Sequence, residues 1–295
     1  MKRFFLLAIL NVAVLMMLSL ASSVLFAVLG VPLTQFLGDY AFLACFSIVL
    51  GFGGSMISLL ISKPMAKWSV GARTVSGNEG PAERWIVDTV ADLAQRAGLK
   101  TPEVAIYEGS ANAFATGAFK NSALVAVSTD IMRQMTKDEL RAVLGHEISH
   151  VANGDMVTMC IAQGVLNVFV IFLSRVLATV VDGALSGNRD SRRRSSGFAY
   201  YIIVPVLEML FGLLASIITC WYSRRREFAA DAGSAKLLGS PDSMIDALRR
   251  LGNLQPGVLP ASLKAFGIAS KPKTSLWATH PPLQVRIDAL RAGTR

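Results

Sequence analysis

The chain has 295 residues, room for one large domain or two ordinary ones, and 53% of them are apolar against 17% charged. Soluble domains carry a charged share of about 25%, and here the apolar excess is gathered in blocks, which excludes a plain water-soluble globule. The formal charge of +9 does not indicate nucleic acid: from Lys63 to Asp155 ten Lys/Arg meet eleven Asp/Glu, and the excess flanks the apolar blocks at Lys2 and Arg3, around Arg192 and after Ser223. Anionic lipid and the positive-inside rule select that placement, and no basic patch interleaved with aromatics is present.

The first apolar block runs from about Phe4 to Leu29 and the second from about Phe36 to Ile61. Each is longer than the roughly 20 residues that cross a bilayer core. Gly30, Pro32 and Gly38 mark a tight turn between them. The Met1-Lys2-Arg3 start also resembles a signal peptide. The block exceeds an h-region of about 7–15 residues and a second follows at once, so it reads as a retained span. Lys2 and Arg3 before this hairpin (1–62), with Lys63, Lys67 and Arg73 after it, place both its ends in the cytoplasm.

Residues 63–155 read as a cytoplasmic α+β region. Ile86, Val90, Leu93 and Ala97 share a helical face within Pro81–Leu99, closed by Gly98. Glu103–Glu108, Ala113–Phe119 and Ala123–Ser128 are short β-like runs, the last two separated by an Asn121-Ser122 turn. Thr136 and Glu139 form a capping box that opens a helix carrying the chemistry.

Two further blocks, about Met156–Val181 and Phe198–Tyr222, form a second hairpin (156–222) that also holds Gln163, Asn167, Arg175 and Glu208. If both cross, the basic loop with Arg189, Arg192, Arg193 and Arg194 lies outside, against the positive-inside rule. The alternative is a shallow or re-entrant hairpin. Crossing is preferred because the flanking parts of the site must share one side. Arg175 and Glu208 lie at comparable distances from the loop, so a hairpin brings them level as an intramembrane ion pair; Arg175 snorkelling to an interface is the alternative.

The tail, 223–295, reads as soluble and helical. Ser240-Pro241 starts a helix with Met244, Ala247, Leu248 and Leu251 on one face, and Pro281-Pro282 another with Leu283, Ile287 and Leu290 inward. The stretch between, near Pro256–Lys273, reads as loop. Cys45, Cys160 and Cys220 lie in apolar stretches at no metal-ligand spacing.

His146-Glu147-Ile148-Ser149-His150 fits H-E-x-x-H. Residues i and i+4 share a helix face one turn apart, so two imidazoles can bind one zinc ion with Glu147 alongside as general base. A chance match on an ordinary helix is the bland alternative. The chain has just three histidines, and two are in this motif; the third, His280, stands in Thr279-His280-Pro281-Pro282 ahead of Arg286. A third ligand must come from another element. Glu227 is the best candidate: it opens Glu227-Phe228-Ala229-Ala230-Asp231, where Asp231 shares its face and can take the N–H of a ligating histidine. Both facing solvent after Arg224-Arg225-Arg226 is the alternative. Asp155 competes, but after Asn153-Gly154 it reads as the N-cap of the next helix.

These pieces occur in order with Asn112-Ala113-Phe114-Ala115-Thr116-Gly117, Asn153-Gly154-Asp155 and Arg226-Glu227-Phe228-Ala229-Ala230-Asp231-Ala232-Gly233-Ser234-Ala235. The set resembles, over essentially the whole chain, the HtpX family of membrane zinc metallopeptidases, bacterial quality-control proteases related to the CAAX-prenyl endopeptidases. The resemblance implies that one Zn2+ is held by His146, His150 and Glu227, with Asp231 behind a histidine and His280 and Arg286 nearby. His280 would hydrogen-bond the oxyanion. Asn112–Gly117 would be an edge strand to which polypeptide substrates add through main-chain bonds; an ordinary core strand is the alternative. The expected fold is an α+β membrane protein, mostly helical. It comprises four apolar helices in two hairpins and a zincin-like catalytic domain with a small antiparallel sheet. The expected setting is multi-pass in the bacterial inner membrane, the active site facing the cytoplasm, with misfolded membrane proteins and the lipid bilayer as partners and no nucleic acid. A membrane hydrolase of prenyl peptides or lipids would share the zinc site. A non-enzymatic scaffold would lack Glu147.

Overall fold

The computed structural model describes residues 33–186, 197–254 and 276–293. The first apolar block, the arginines of the second loop and the expected loop near 256–273 lie outside the described residues. The elements in order are α1 (Leu33–Leu60), α2 (Ser62–Val70), β1 (Arg73–Val75), α3 (Pro81–Arg96), β2 (Glu103–Tyr107), β3 (Ala113–Thr116) and β4 (Leu124–Ser128). They continue with α4 (Thr129–Gln134), α5 (Lys137–Asn153), α6 (Asp155–Ser186), α7 (Phe198–Leu238), α8 (Asp242–Asn253) and α9 (Leu283–Ala292). The chain divides into two compact units: one from the stretch up to Ile57 with Cys160–Ile218, the other from Ser58–Met159 with the stretch from Thr219.

In the first unit, three helices among the described residues are long and apolar enough to cross a membrane: Leu43–Leu60, Asp155–Leu185 and Phe198–Leu238. All three run on into the second unit. Of the turn expected from Gly30, Pro32 and Gly38, the first two lie outside the described residues, and Gly38 lies within α1, which starts at Leu33; a lone glycine does not break a helix of such apolar length. Gly51 packs where a Cβ would lie 2.7 Å from the Val168 backbone N, and Gly164 where one would lie 2.7 Å from the Phe52 ring. Small residues thus let α1 and α6 close up, as membrane helices do without a hydrophobic drive between them. Polar groups here find partners. Asn167 Nδ2 donates to Ser55 Oγ at 3.3 Å, and Arg175 Nη1 pairs with Glu208 Oε1 at 2.6 Å.

The second unit is built on a four-stranded sheet of order β1-β2-β4-β3. The expected antiparallel sheet is instead mixed: β4 pairs β3 antiparallel but β2 parallel, with Glu103 opposite Leu124 and Tyr107 opposite Ser128. The β3–β4 hairpin folds back so that β4 slots between β2 and β3 and runs with β2. The runs that become β2, β3 and β4 were visible, but a run says nothing about which strand becomes the neighbour. β1, three residues long, carries too little pattern to be foreseen.

Val104, Ile106, Ala113, Ala115, Val125 and Val127 face α3, α5, α8 and α9 in the main core. Ala105, Tyr107, Phe114, Leu124 and Ala126 face Ala66 of α2. Glu103 fastens α2 to the sheet: its Oε2 lies 2.7 Å from Lys63 Nζ, its Oε1 also pairs Lys67, and Thr74 Oγ1 donates to it at 2.8 Å. Although partial burial pushes the Glu103 carboxyl up, the two ammonium groups hold it down at about 2.

Candidate metal centre

Helix α5 starts on the expected capping box: Thr136 Oγ1 accepts from Glu139 N–H at 3.3 Å, and Glu139 Oε2 accepts from Thr136 N–H at 2.8 Å. It ends where Gly154, at φ +68°, donates to Val151 O. That left-handed residue turns the chain directly into α6. Between these caps every residue from Ala142 to Val151 is buried, so the histidines sit on a helix enclosed on all sides.

His146 and His150 point Nε2 at each other, 3.1 Å apart, with rings at 89°. Glu227 of α7 closes the group: its Oε1 lies 3.4 Å from His150 Nε2 and its Oε2 3.7 Å from His146 Nε2. A tetrahedral zinc ion with bonds of about 2.0–2.1 Å sets its ligand atoms about 3.3 Å apart. The three donors therefore match the span of one ion.

The other nitrogen of each ring faces a carboxylate. Asp231 Oδ1 lies 2.9 Å from His146 Nδ1, and Asp155 Oδ2 lies 2.6 Å from His150 Nδ1. With each Nδ1 facing a carboxylate, both Nε2 atoms converge on one point, where neutral rings would share a cation. Charge agrees with geometry. Glu147, Asp155, Glu227 and Asp231 are all buried, at 6% exposure or less. Two guanidiniums stand among them, Arg286 fully buried and Arg226 nearly so. Counted with all four carboxylates ionised and both rings neutral, the state in which the rings would ligate, two negative charges remain, the complement of one divalent ion.

Arg286 grips Asp231 with two donors, Nε to Oδ2 at 2.8 Å and Nη2 to Oδ1 at 2.6 Å, and its Nη1 reaches Glu227 Oε2 at 3.1 Å. His280 Nδ1 lies 2.8 Å from the same oxygen. Its Nε2 is buried and makes no hydrogen bond among the described residues. Thus His146, Glu147, His150, Glu227, Asp231, His280 and Arg286 come together in one buried cluster of the second unit.

Burial lifts the Glu147 carboxyl to about 8, against the pull of His150 and with the Glu227 charge adding to the rise. The Ala115 backbone N–H also reaches this carboxylate. Burial would lower the His150 ring, but Asp155 and Glu227 outweigh it and hold it at about 10; for His146 burial prevails over Asp231 and the shift is downward.

Strand β3 is one edge of the sheet, bonded to β4 alone. Ser128 N–H donates to Asn112 O at 2.9 Å, so by the antiparallel alternation Ala113 and Ala115 turn their main-chain groups outward. Asn112 Oδ1 accepts from Ala113 N–H at 2.9 Å, and the Ala115 N–H meets Glu147. The general-base candidate and the outer side of the Asn112–Gly117 segment are therefore in contact.

Asp155 was foreseen as a helix N-cap. It is the first residue of α6 and turns back to orient His150. A carboxylate placed straight after the glycine that ends an H-E-x-x-H helix was the available signal. Tyr107, whose hydroxyl donates to Asn112 O at 3.3 Å and whose phenol is pushed up by burial and then by the Glu147 charge, left no signal beyond its strand.

Comparison with known proteins agrees with this centre. Residues 81–294 match Peptidase family M48. The chain is 54% identical over 295 residues to a "Protease HtpX homolog" of Janthinobacterium sp. (strain Marseille), covering 99% of both. It is 51% identical over 295 residues to one of Herminiimonas arsenicoxydans, again covering 99% of both. Among solved structures it is similar in fold to S. mikatae Ste24p, with a TM-score of 0.54 at 20% identity. That match covers 95% of this chain and 66% of the Ste24p chain, just under two thirds of its length. Matched by a family over most of its length and by relatives end to end, this membrane chain belongs to peptidase family M48, among the HtpX proteases.

Proposed function

We propose that the chain is a zinc-dependent endopeptidase of the bacterial inner membrane, its active site facing the cytoplasm, that cleaves misfolded or damaged membrane proteins during quality control and stress. The observation that carries this is the convergence of His146, His150 and Glu227 at 3.1–3.7 Å beside the buried Glu147. His146, His150 and Glu227 hold the ion, which supplies Lewis-acid polarisation and lowers the pKa of water. Glu147 accepts the proton of the attacking water and returns it to the leaving amine. His280 donates from Nε2 to the developing oxyanion. Asp231 and Asp155 hold the two ligating rings in the Nδ1–H tautomer, and Arg286 fixes Asp231 against Glu227.

The Asn112–Gly117 edge receives an extended substrate through main-chain bonds, which suits clients of varied sequence. Regions 63–155 and 223–295 form the cytoplasmic catalytic part, carried by the hairpins 1–62 and 156–222. His150 lies six residues before the third apolar block and Glu227 five after the fourth. At 1.5 Å per helical residue, each ligand is within roughly 10 Å of lipid along its own chain. Clients cut near the bilayer follow from that tether.

The test is metal content and casein cleavage of detergent-solubilised wild type, Glu147→Gln and Glu227→Ala. Glu147→Gln should keep its zinc and lose proteolysis and self-cleavage by at least about 100-fold. Glu227→Ala should lose both zinc and cleavage. Full activity in Glu147→Gln refutes the mechanism.

A further inference from the structure

The ligands of the centre come from two helices: His146 and His150 from α5, Glu227 from α7. Their separation therefore decides whether one ion can touch all three. Where these helices meet, two Gly–Ser pairs interlock. A Cβ placed on Gly233 of α7 would lie 2.5 Å from Ser149 Oγ and 2.8 Å from Ser149 Cβ; one placed on Gly145 of α5 would lie 2.8 Å from Ser234 Oγ. Both approaches are closer than the 3.0 Å that Cβ atoms keep. Neither hydroxyl can swing aside freely. Ser149 Oγ donates to Gly145 O at 2.7 Å, and Ser234 Oγ donates across the helices to Ala142 O at 2.7 Å. Both serines are buried, at 3% and 0% exposure. Gly145 and Ser149 immediately precede His146 and His150, so each ligating histidine is neighbour to one half of the interlock.

We infer that this reciprocal Gly–Ser interlock is the positioning element that sets the spacing of α5 and α7 to the reach of a single divalent ion. The inference rests on the zinc reading above. The two imidazoles share α5, so their backbone spacing does not depend on α7, whereas the His146 ring also leans on Asp231 of α7. Glu227 is at 3.4 and 3.7 Å, already at the outer side of the roughly 3.3 Å that a zinc site wants. A methyl group at 233 meets Ser149 Cβ, which no rotamer change removes, and must push α7 outward. The Glu227 carboxylate is then drawn away from the two imidazoles, and Asp231 from His146 with it.

The test measures zinc affinity by chelator competition, and the visible spectrum of the cobalt-substituted protein, on the full chain in detergent. Gly233→Ala should lower zinc affinity by about 10–100-fold, the range seen when ligand positioning fails, and change the cobalt bands. Exchanging the partners, Gly233→Ser with Ser149→Gly, should restore both readings toward wild type, which a purely structural contribution to stability would not require. Wild-type affinity and cobalt bands in Gly233→Ala overturn the interlock, as does an exchange variant no better than the single. If Gly233→Ala does not accumulate, the exchange variant carries the test alone, and its failure to fold or bind zinc also overturns the inference. A wild-type chain that binds no zinc instead removes the metal reading beneath it.

Discussion

Replacing Arg286 with leucine removes the one fully buried guanidinium of the centre. Its three contacts, at 2.6, 2.8 and 3.1 Å, neutralise Asp231 and Glu227 where water does not reach. Breaking a buried pair by deleting one partner costs about 3–5 kcal/mol, because the surviving charge is stranded. Two carboxylates are left here, so the upper part of that range applies. For a region of this size, each kcal/mol lowers the unfolding midpoint by about 2–4 °C, so a drop of roughly 10 °C or more is expected. Arg286→Lys keeps the charge but not the two-pronged grip on Asp231, and should fall between leucine and wild type. The assay is thermal unfolding in detergent with EDTA present, so that metal loss does not contribute, followed by zinc titration of each protein. An Arg286→Leu midpoint within a degree or two of wild type would refute the charge accounting of the site.

Asp155→Asn keeps an acceptor for His150 Nδ1–H but loses the charge, and zinc affinity by chelator competition should fall about 10–100-fold with the fold intact. The Glu103 carboxyl, held at about 2 against about 4.3 in an unfolded chain, contributes stability fully above the unfolded value. That contribution is lost as pH falls from about 5 toward 2. With its side chain 26% exposed, screening reduces it to roughly 1 kcal/mol, and Glu103→Gln should flatten chemical-denaturation stability over that window by this amount. In the membrane unit, Arg175→Glu and Glu208→Arg should each lower the thermal midpoint in detergent, and the double exchange should recover part of the loss. A double variant no more stable than either single would show that the 2.6 Å contact does not matter energetically.

The H-E-x-x-H spacing was legible from the residues because a helix turns i and i+4 onto one face whatever surrounds it. The caps of α5 were legible for a similar reason: Thr136, Glu139 and Gly154 act on their own backbone. Among the described residues, the apolar blocks announced their helices by length alone, since backbone groups in lipid leave few other choices.

Relations between distant segments were not of this kind. Local pattern left Glu227 open between ligand and solvent, and resemblance rather than spacing pointed to the metal; its distances to two imidazoles exist only once α7 lies against α5. Whether β4 runs beside β2 or apart from it depends on how a hairpin docks, so the sheet came out mixed where an antiparallel one was expected. Asp155 illustrates the boundary most clearly. Its sequence neighbours predict a helix start, and it is one, but only the left-handed turn at Gly154 and the burial of α5 aim its carboxylate back at His150. Short-range geometry is set by bonds along the chain, whereas the converging charges of the centre are set by which faces the folded chain buries against each other.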